Sequence, residues 1–218
     1  MGHFDYSIVW TNLGFMANGL GLSALLVVTS VVCGMVLGGG LAALRLSRFV
    51  VLRVIAGGYV AVIRSVPLIL VLFWFYFMLP LWTGHPIGAL PSALIAYALF
   101  EAAFYCEIIR AGIRAVPPGQ GIAAAATGLR PWQVMRMVVL PQAFIAMLPL
   151  LMNQAIILFQ DTALVYVVAL RDFLTAASVI ASRDDRPVEM YTFVAVVYFV
   201  ICLAGSLLAG RQRGEAVR

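Results

Sequence analysis

Arg64, Glu101, Gln154, Gln160, Asp161 and Thr162 have the most chemistry to offer, because each stands within or at the edge of a long apolar run. A charge in such surroundings is costly. An arginine at mid-depth of a spanning helix costs at least about 2.5–3.5 kcal/mol, so it needs an ionic partner or a wet cavity. A guanidinium holds a carboxylate through two parallel hydrogen bonds, which makes Arg64 a candidate counter-ion for an acidic ligand. The alternative is an internal ion pair with Glu101 or Asp161. Asp161 has the charge to meet an ammonium group, with the Thr162 hydroxyl beside it; a plain helix-end contact is the other reading. Gln154, with Asn153 next to it, lines a path or bridges two helices. Gln160 is neutral and repels neither sign of charge. Glu107 is placed to pair with Arg110 or Arg114, one turn or two along the same helix. Glu101 lies deeper and reads as structural or gating.

Other chemistries are excluded by what is missing. The two histidines, His3 and His85, fall outside the apolar runs, and neither sits in an H-E-x-x-H arrangement. Cys33, Cys106 and Cys202 occur singly in separate apolar stretches, with no metal-ligand or disulfide spacing, and read as packing residues. No G-x-x-x-x-G-K-[ST] occurs, so the chain carries no P-loop for a nucleotide. The reading is a chain with no catalytic residues, no metal and no cofactor.

The elements that must position these residues belong to a bilayer. Of the 218 residues 64% are hydrophobic and 11% charged, beyond what a soluble core of this length uses. The apolar runs are continuous rather than alternating, which predicts spanning helices and not a barrel. Five spans are expected, at about 20–44, 54–79, 92–113, 138–159 and 189–209, with residues 160–187 as a polar connector. Gly34, Gly38, Gly39 and Gly40 give the first span a small-residue face for close helix contact. Pro67, Pro141 and Pro149 mark kinks or broken segments.

All 14 basic residues are arginines, and their +5 net charge reads as orientation rather than as a nucleic-acid surface. Arg45, Arg48, Arg53, Arg110, Arg114, Arg130, Arg136, Arg211, Arg213 and Arg218 fall on one side; Arg171, Arg183 and Arg186 fall on the other, diluted by Asp172, Asp184 and Asp185. This predicts an N-terminus outside and a C-terminus inside. The N-terminus has no basic n-region or cleavage site, so the first span is expected to direct insertion itself.

The stretch PPGQGIAAAATGLRPWQVMRMVVLPQA, Pro117 to Ala143, then lies on the inside. Proline at its start and Gly128 past its alanines predict one short capped helix. Its low bulk leaves a docking surface and a plain connector equally open. The order of residues is more specific. It resembles the cytoplasmic signature of ABC transporter permease subunits, E-A-A, three residues, G, nine residues, I-x-L-P. Ala123 and Ala124 match the alanines, Gly128 the glycine, and Val138, Leu140 and Pro141 the terminus; Ile122 stands where the signature has glutamate. EAAFYCEIIRAGIRAVPPGQ, LPLLMNQAIILFQDTALVYVV and IRSVPLILVLFWFY extend the resemblance to the permeases of polar amino-acid importers over nearly the whole chain. LFQDTALVYV with RDFLTAAS and VEM is most similar in appearance to those that carry glutamate and aspartate.

The resemblance implies an all-α integral membrane protein, one permease domain over 1–218, in a bacterial inner membrane. It implies two cytoplasmic ATP-binding subunits, a second permease or a second copy, and a periplasmic amino-acid-binding protein as partners. Gly119, Gln120, Ala123, Ala124, Gly128, Leu140 and Pro141 then belong to a helix that couples to the ATPase. Arg64, Gln154, Gln160, Asp161 and Thr162 are the candidate substrate contacts. The rival readings are a permease for basic or neutral polar amino acids and, more remotely, a self-contained secondary transporter or channel.

Overall fold

A computed structural model describes residues 6–216, with side chains within 6–211. His3, Arg213 and Arg218 lie outside the described side chains. The chain runs α1 (Ser7–Thr11), α2 (Leu13–Arg45), α3 (Val50–Arg64), α4 (Leu68–Thr83), α5 (Ala89–Ala115), α6 (Pro118–Ala126), α7 (Pro131–Val134), α8 (Leu140–Asp161), α9 (Phe173–Arg183) and α10 (Pro187–Ala216). No strand is found among the described residues. α2, α5, the run Pro131–Val168 that contains α8, and α10 are each long and apolar enough to cross a bilayer.

The second expected span differs from a single rod. It is broken into α3 and α4, with a bend of 106° at the break. Pro67 explains the break: it has no N–H for the helix and forces the residue before it away from the α region. α4 restarts with Pro67 as its extended N-cap. Arg64 therefore ends a helix at an exposed corner and is not carried in the middle of a straight one.

The core is built on α2. Gly34 and Gly38 face α5 with no side chain between the backbones. A methyl on Gly34 would sit 2.9 Å from Glu101 Cβ and from Tyr105 Cδ2; on Gly38 it would sit 2.8 Å from the Ala102 carbonyl oxygen. Of the small-residue face expected from sequence, Gly34 and Gly38 thus pack tightly on α5, whose Ala96, Tyr97, Ala102, Ala103 and Tyr105 are wholly buried. A methyl on Gly39 would only approach Ile109 at 3.9 Å, and one on Gly40 would meet nothing within 4 Å.

The connector expected over 160–187 is also more ordered than predicted. It holds a short 3₁₀ turn, Thr162–Val168, and then α9. Asp172 caps α9 by accepting from the backbone N–H groups of Leu174 and Thr175 at 3.0 and 3.1 Å. Phe173, Ala176, Ala177, Ile180 and Ala181 form its buried face, the i, i+3, i+4, i+7 pattern of an amphipathic helix. Charges at both ends of this segment mask that pattern in the composition. α9 leans on α2: the Phe173 N–H donates to Ser23 Oγ at 3.2 Å, and Gly19 admits the Asp172 carbonyl. At its far end Arg183 bridges Asn12 and Asp184. Its hydrogen bonds hold the Asp184 carboxyl below the usual carboxylate range.

Gly38→Ala is expected to force α2 from α5 and lower stability by about 1–3 kcal/mol, as overpacking does. Gly40 has open space around its Cβ position, so Gly40→Ala should be neutral or gain up to ~1 kcal/mol from helix propensity. Thermal melts of the two purified variants would separate these outcomes.

Candidate functional site: a buried polar column and an exposed short helix

Tyr97, Glu101 and Tyr105 follow one another at four-residue spacing along α5, so they stack on one face, and all three are wholly buried. The carboxylate of Glu101 meets α8, where the Gln154 amide donates to Oε1 at 3.2 Å and to Oε2 at 3.1 Å. One turn along, the Tyr97 hydroxyl donates to the Asp161 backbone carbonyl at 2.6 Å. These contacts satisfy polar groups where water is excluded, and they tie α5 to α8 at two levels.

The five candidate substrate contacts do not converge in one pocket. Gln154 is buried against Glu101, and Thr162 is buried with its hydroxyl donating to the Phe159 carbonyl at 2.7 Å. Gln160 is exposed on α8 and reaches Cys202 Sγ of α10 at 3.4 Å. Asp161 is half-buried; the hydrogen bond it accepts from Tyr97 goes to its backbone carbonyl, and none to its carboxylate is found among the described residues. Arg64 pairs with neither Glu101 nor Asp161; its guanidinium lies over the Phe104 ring at 5.2 Å. Phe104 is seven residues beyond Tyr97 on α5, so Arg64 and Asp161 stand at levels roughly 10 Å apart along that helix. Asn153 is exposed on α8.

The tyrosines of this column were not among the residues singled out from sequence. Their signal is the spacing of Tyr97, Glu101 and Tyr105, which only a comparison of α5 residues four apart reveals. Glu107 pairs with Arg110, as its spacing predicts; the other arginine it meets is Arg45 of α2, not Arg114.

The short helix between the third and fourth expected spans is α6. Pro117 is its N-cap, Pro118 its first residue, and Gly128 follows its end at φ +88°. That φ is unfavourable for a residue with a Cβ. Gly119, Gln120, Ile122 and Ala123 are exposed, Ile122 at 71%. Ala124 instead faces inward, and the Thr127 hydroxyl donates to its carbonyl at 2.8 Å. α6 packs on the start of the next span, which passes through five π-helical residues, Met135–Val139, before Leu140 and Pro141 open α8. A π stretch before a proline widens the helix where the ring would meet the preceding turn.

A multi-pass, all-helical membrane subunit, with polar groups buried between its helices and a short exposed helix between two of its crossings, is the class that this architecture defines. Residues 30–213 match the binding-protein-dependent transport system inner membrane component family, and the chain belongs to it. It is similar to the glutamate/aspartate import permease protein GltK of Escherichia coli O6:H1, with 47% identity over 95% of this chain and 96% of that one. It is also similar to the arginine transport system permease protein ArtQ of Bacillus subtilis, with 34% identity over 92% of each chain. Among solved structures it resembles an amino acid ABC transporter, with a TM-score of 0.87, 32% identity, and 96% of this chain and 97% of that one covered. The chain is thus a multi-pass inner-membrane permease subunit of an ABC importer, a class that works with ATP-binding and substrate-binding partners.

Gln154→Leu would leave the Glu101 carboxyl buried with no hydrogen-bond donor. A stability loss of about 1–3 kcal/mol is expected. Chemical denaturation of the detergent-solubilised subunit complex measures it, with the exposed Asn153→Leu as the comparison.

Proposed function

We propose that this chain is the membrane-spanning permease subunit of an ATP-driven, binding-protein-dependent importer of acidic amino acids, glutamate and aspartate. The 47% identity to GltK along nearly the whole of both chains carries the reading. In this account the chain is one permease domain over 1–218, with its N-terminus outside and its C-terminus inside, a reading supported by the arginine asymmetry. It pairs with a second permease or another copy of itself. Two cytoplasmic ATPases and a periplasmic amino-acid-binding protein complete the importer.

Arg64 supplies the cation for a side-chain or α-carboxylate, and its exposure with no ion pair among the described residues supports that role. Asp161 supplies the anion for the α-ammonium group, its carboxylate accepting no hydrogen bond among the described residues. The levels of Arg64 and Asp161 along α5 are farther apart than one amino acid spans. They therefore serve as successive contacts along a path, with exposed Gln160 on the same open side of α8 as Asn153. Gln154 and Thr162 act from behind, by holding α8 and its 3₁₀ extension in place.

α6 is the coupling helix. Gly119, Gln120 and Ala123 meet the ATPase, and Ile122 offers an apolar contact where the signature of such permeases has glutamate. Ala124, Gly128, Leu140 and Pro141 shape the helix and its junction with α8 rather than touching the partner. ATP-driven closure of the ATPase pair moves this helix and shifts the spans between two packings.

The full complex, reconstituted in vesicles, should take up glutamate and aspartate with ATP and binding protein, and arginine or glutamine at least roughly tenfold more slowly. Arg64→Gln should lower acidic amino-acid uptake by a similar factor while the complex still co-purifies. Uptake that needs neither ATP nor binding protein would refute the importer reading. Equal rates for arginine and glutamate would refute the substrate. Ala123→Trp, by placing bulk on the exposed face of α6, should abolish co-purification of the ATPase; an intact, fully active complex would remove α6 from that role.

A further inference from the structure

Glu107 sits two turns before the end of α5, and its carboxylate is held by arginines from two helices. Arg45, the last residue of α2, contacts Oε1. Arg110 donates from Nε to Oε2 at 3.0 Å and adds its Nη2. All three side chains are about four-fifths buried, at 21%, 19% and 20% exposure. The stem of Arg45 also runs past α3, where a methyl on Gly57 would lie 3.9 Å from Nε. One acid thus neutralises two arginines at the point where α2, α3 and α5 converge. Without it the same arginines would repel each other across the α2–α5 seam.

The place of this cluster in the chain gives it a consequence beyond packing. α5 ends at Ala115, and α6 begins at Pro118 after only Val116 and Pro117. At the opposite end of α2, Ser23 accepts from the Phe173 N–H, and the Asp172 carbonyl of α9 rests on Gly19. Twenty-two residues separate Ser23 from Arg45, roughly 33 Å of helix, about the thickness of the hydrocarbon core. α2 is therefore fastened to α9 near one membrane face and to α5, beside α6, near the other. Gly34 and Gly38 keep α2 and α5 in backbone contact between these points.

We propose that Glu107 is a positioning residue for coupling: its clamp on Arg45 makes α2 follow α5 when α6 is displaced, so that movement at α6 reaches α9 across the membrane. Resting on the importer reading above, this names the element that carries its mechanical step. Charge, rather than shape, makes the clamp. Glu107→Gln keeps the side-chain volume and loses the attraction to both guanidinium groups, whereas Arg45→Lys keeps the attraction with a different head group.

The test uses the complete importer in vesicles, with ATP hydrolysis and amino-acid uptake measured on the same preparation. Wild type must first import with ATP; if it does not, the importer reading falls and the clamp is not at issue. Glu107→Gln is expected to raise the ATP hydrolysed per amino acid imported by at least roughly fivefold, the lower edge of ordinary coupling between sites. Co-purification of all subunits should be unchanged, and Arg45→Lys should stay near the wild-type ratio. An unchanged ratio in Glu107→Gln would overturn the proposal. So would a parallel fall of uptake and hydrolysis, or loss of assembly in both variants, since either result assigns the cluster to folding alone.

Discussion

A methyl group placed on Gly38 would sit 2.8 Å from the Ala102 carbonyl oxygen, closer than any side chain is accommodated, and Gly34 is as tight against Glu101 and Tyr105. In lipid there is no water to expel between helices, so association rests on such close van der Waals contact and on polar groups paired between helices. The α2–α5 seam provides the first, and it sets where everything else on α5 stands. Tyr97, Glu101 and Tyr105 face inward because the glycine face of α2 fixes the rotation of α5. Glu107 reaches Arg45 for the same reason.

Placing charge and polarity inside the membrane requires such a frame. Glu101 is tolerated because Gln154 donates to both of its oxygens, and the Asp161 carbonyl receives the Tyr97 hydroxyl. These bonds join α5 to α8, the two helices on either side of α6. Groups left uncommitted stand out by contrast. Among the described residues, Arg64 at the α3–α4 corner lies over the Phe104 ring with no ion pair, and the hydrogen bond at Asp161 goes to its backbone carbonyl rather than its carboxylate. The Ser30, Ser92, Tyr105 and Tyr198 hydroxyls are buried and likewise without a hydrogen-bond partner among the described residues.

Much of this was legible in the order of residues. Continuous apolar runs specified helices of spanning length, prolines and Gly128 bracketed α6, and of the four glycines expected to make a contact face Gly34 and Gly38 do so. Pro67 signals a kink or a break without choosing between them, because a proline forbids continuation of a helix without specifying the angle at which the chain resumes. α9 was hidden by the charges that flank it, although Asp172 and the 3.6-residue spacing of its apolar positions were present to be read.

The pairing of distant residues lay beyond the sequence. Nothing in spacing joins Glu101 to Gln154, Tyr97 to Asp161, or Glu107 to Arg45 in preference to Arg114, because each pair depends on the rotation and depth of two separate helices. The sequence by itself determined that the chain lives in a bilayer as helices and presents a short capped helix between two of them, since burial of apolar side chains and backbone capping are local properties. The tertiary structure alone decided which polar groups are consumed internally and which remain open, because satisfaction of a hydrogen bond in a low-dielectric interior depends on what the neighbouring helix brings opposite it.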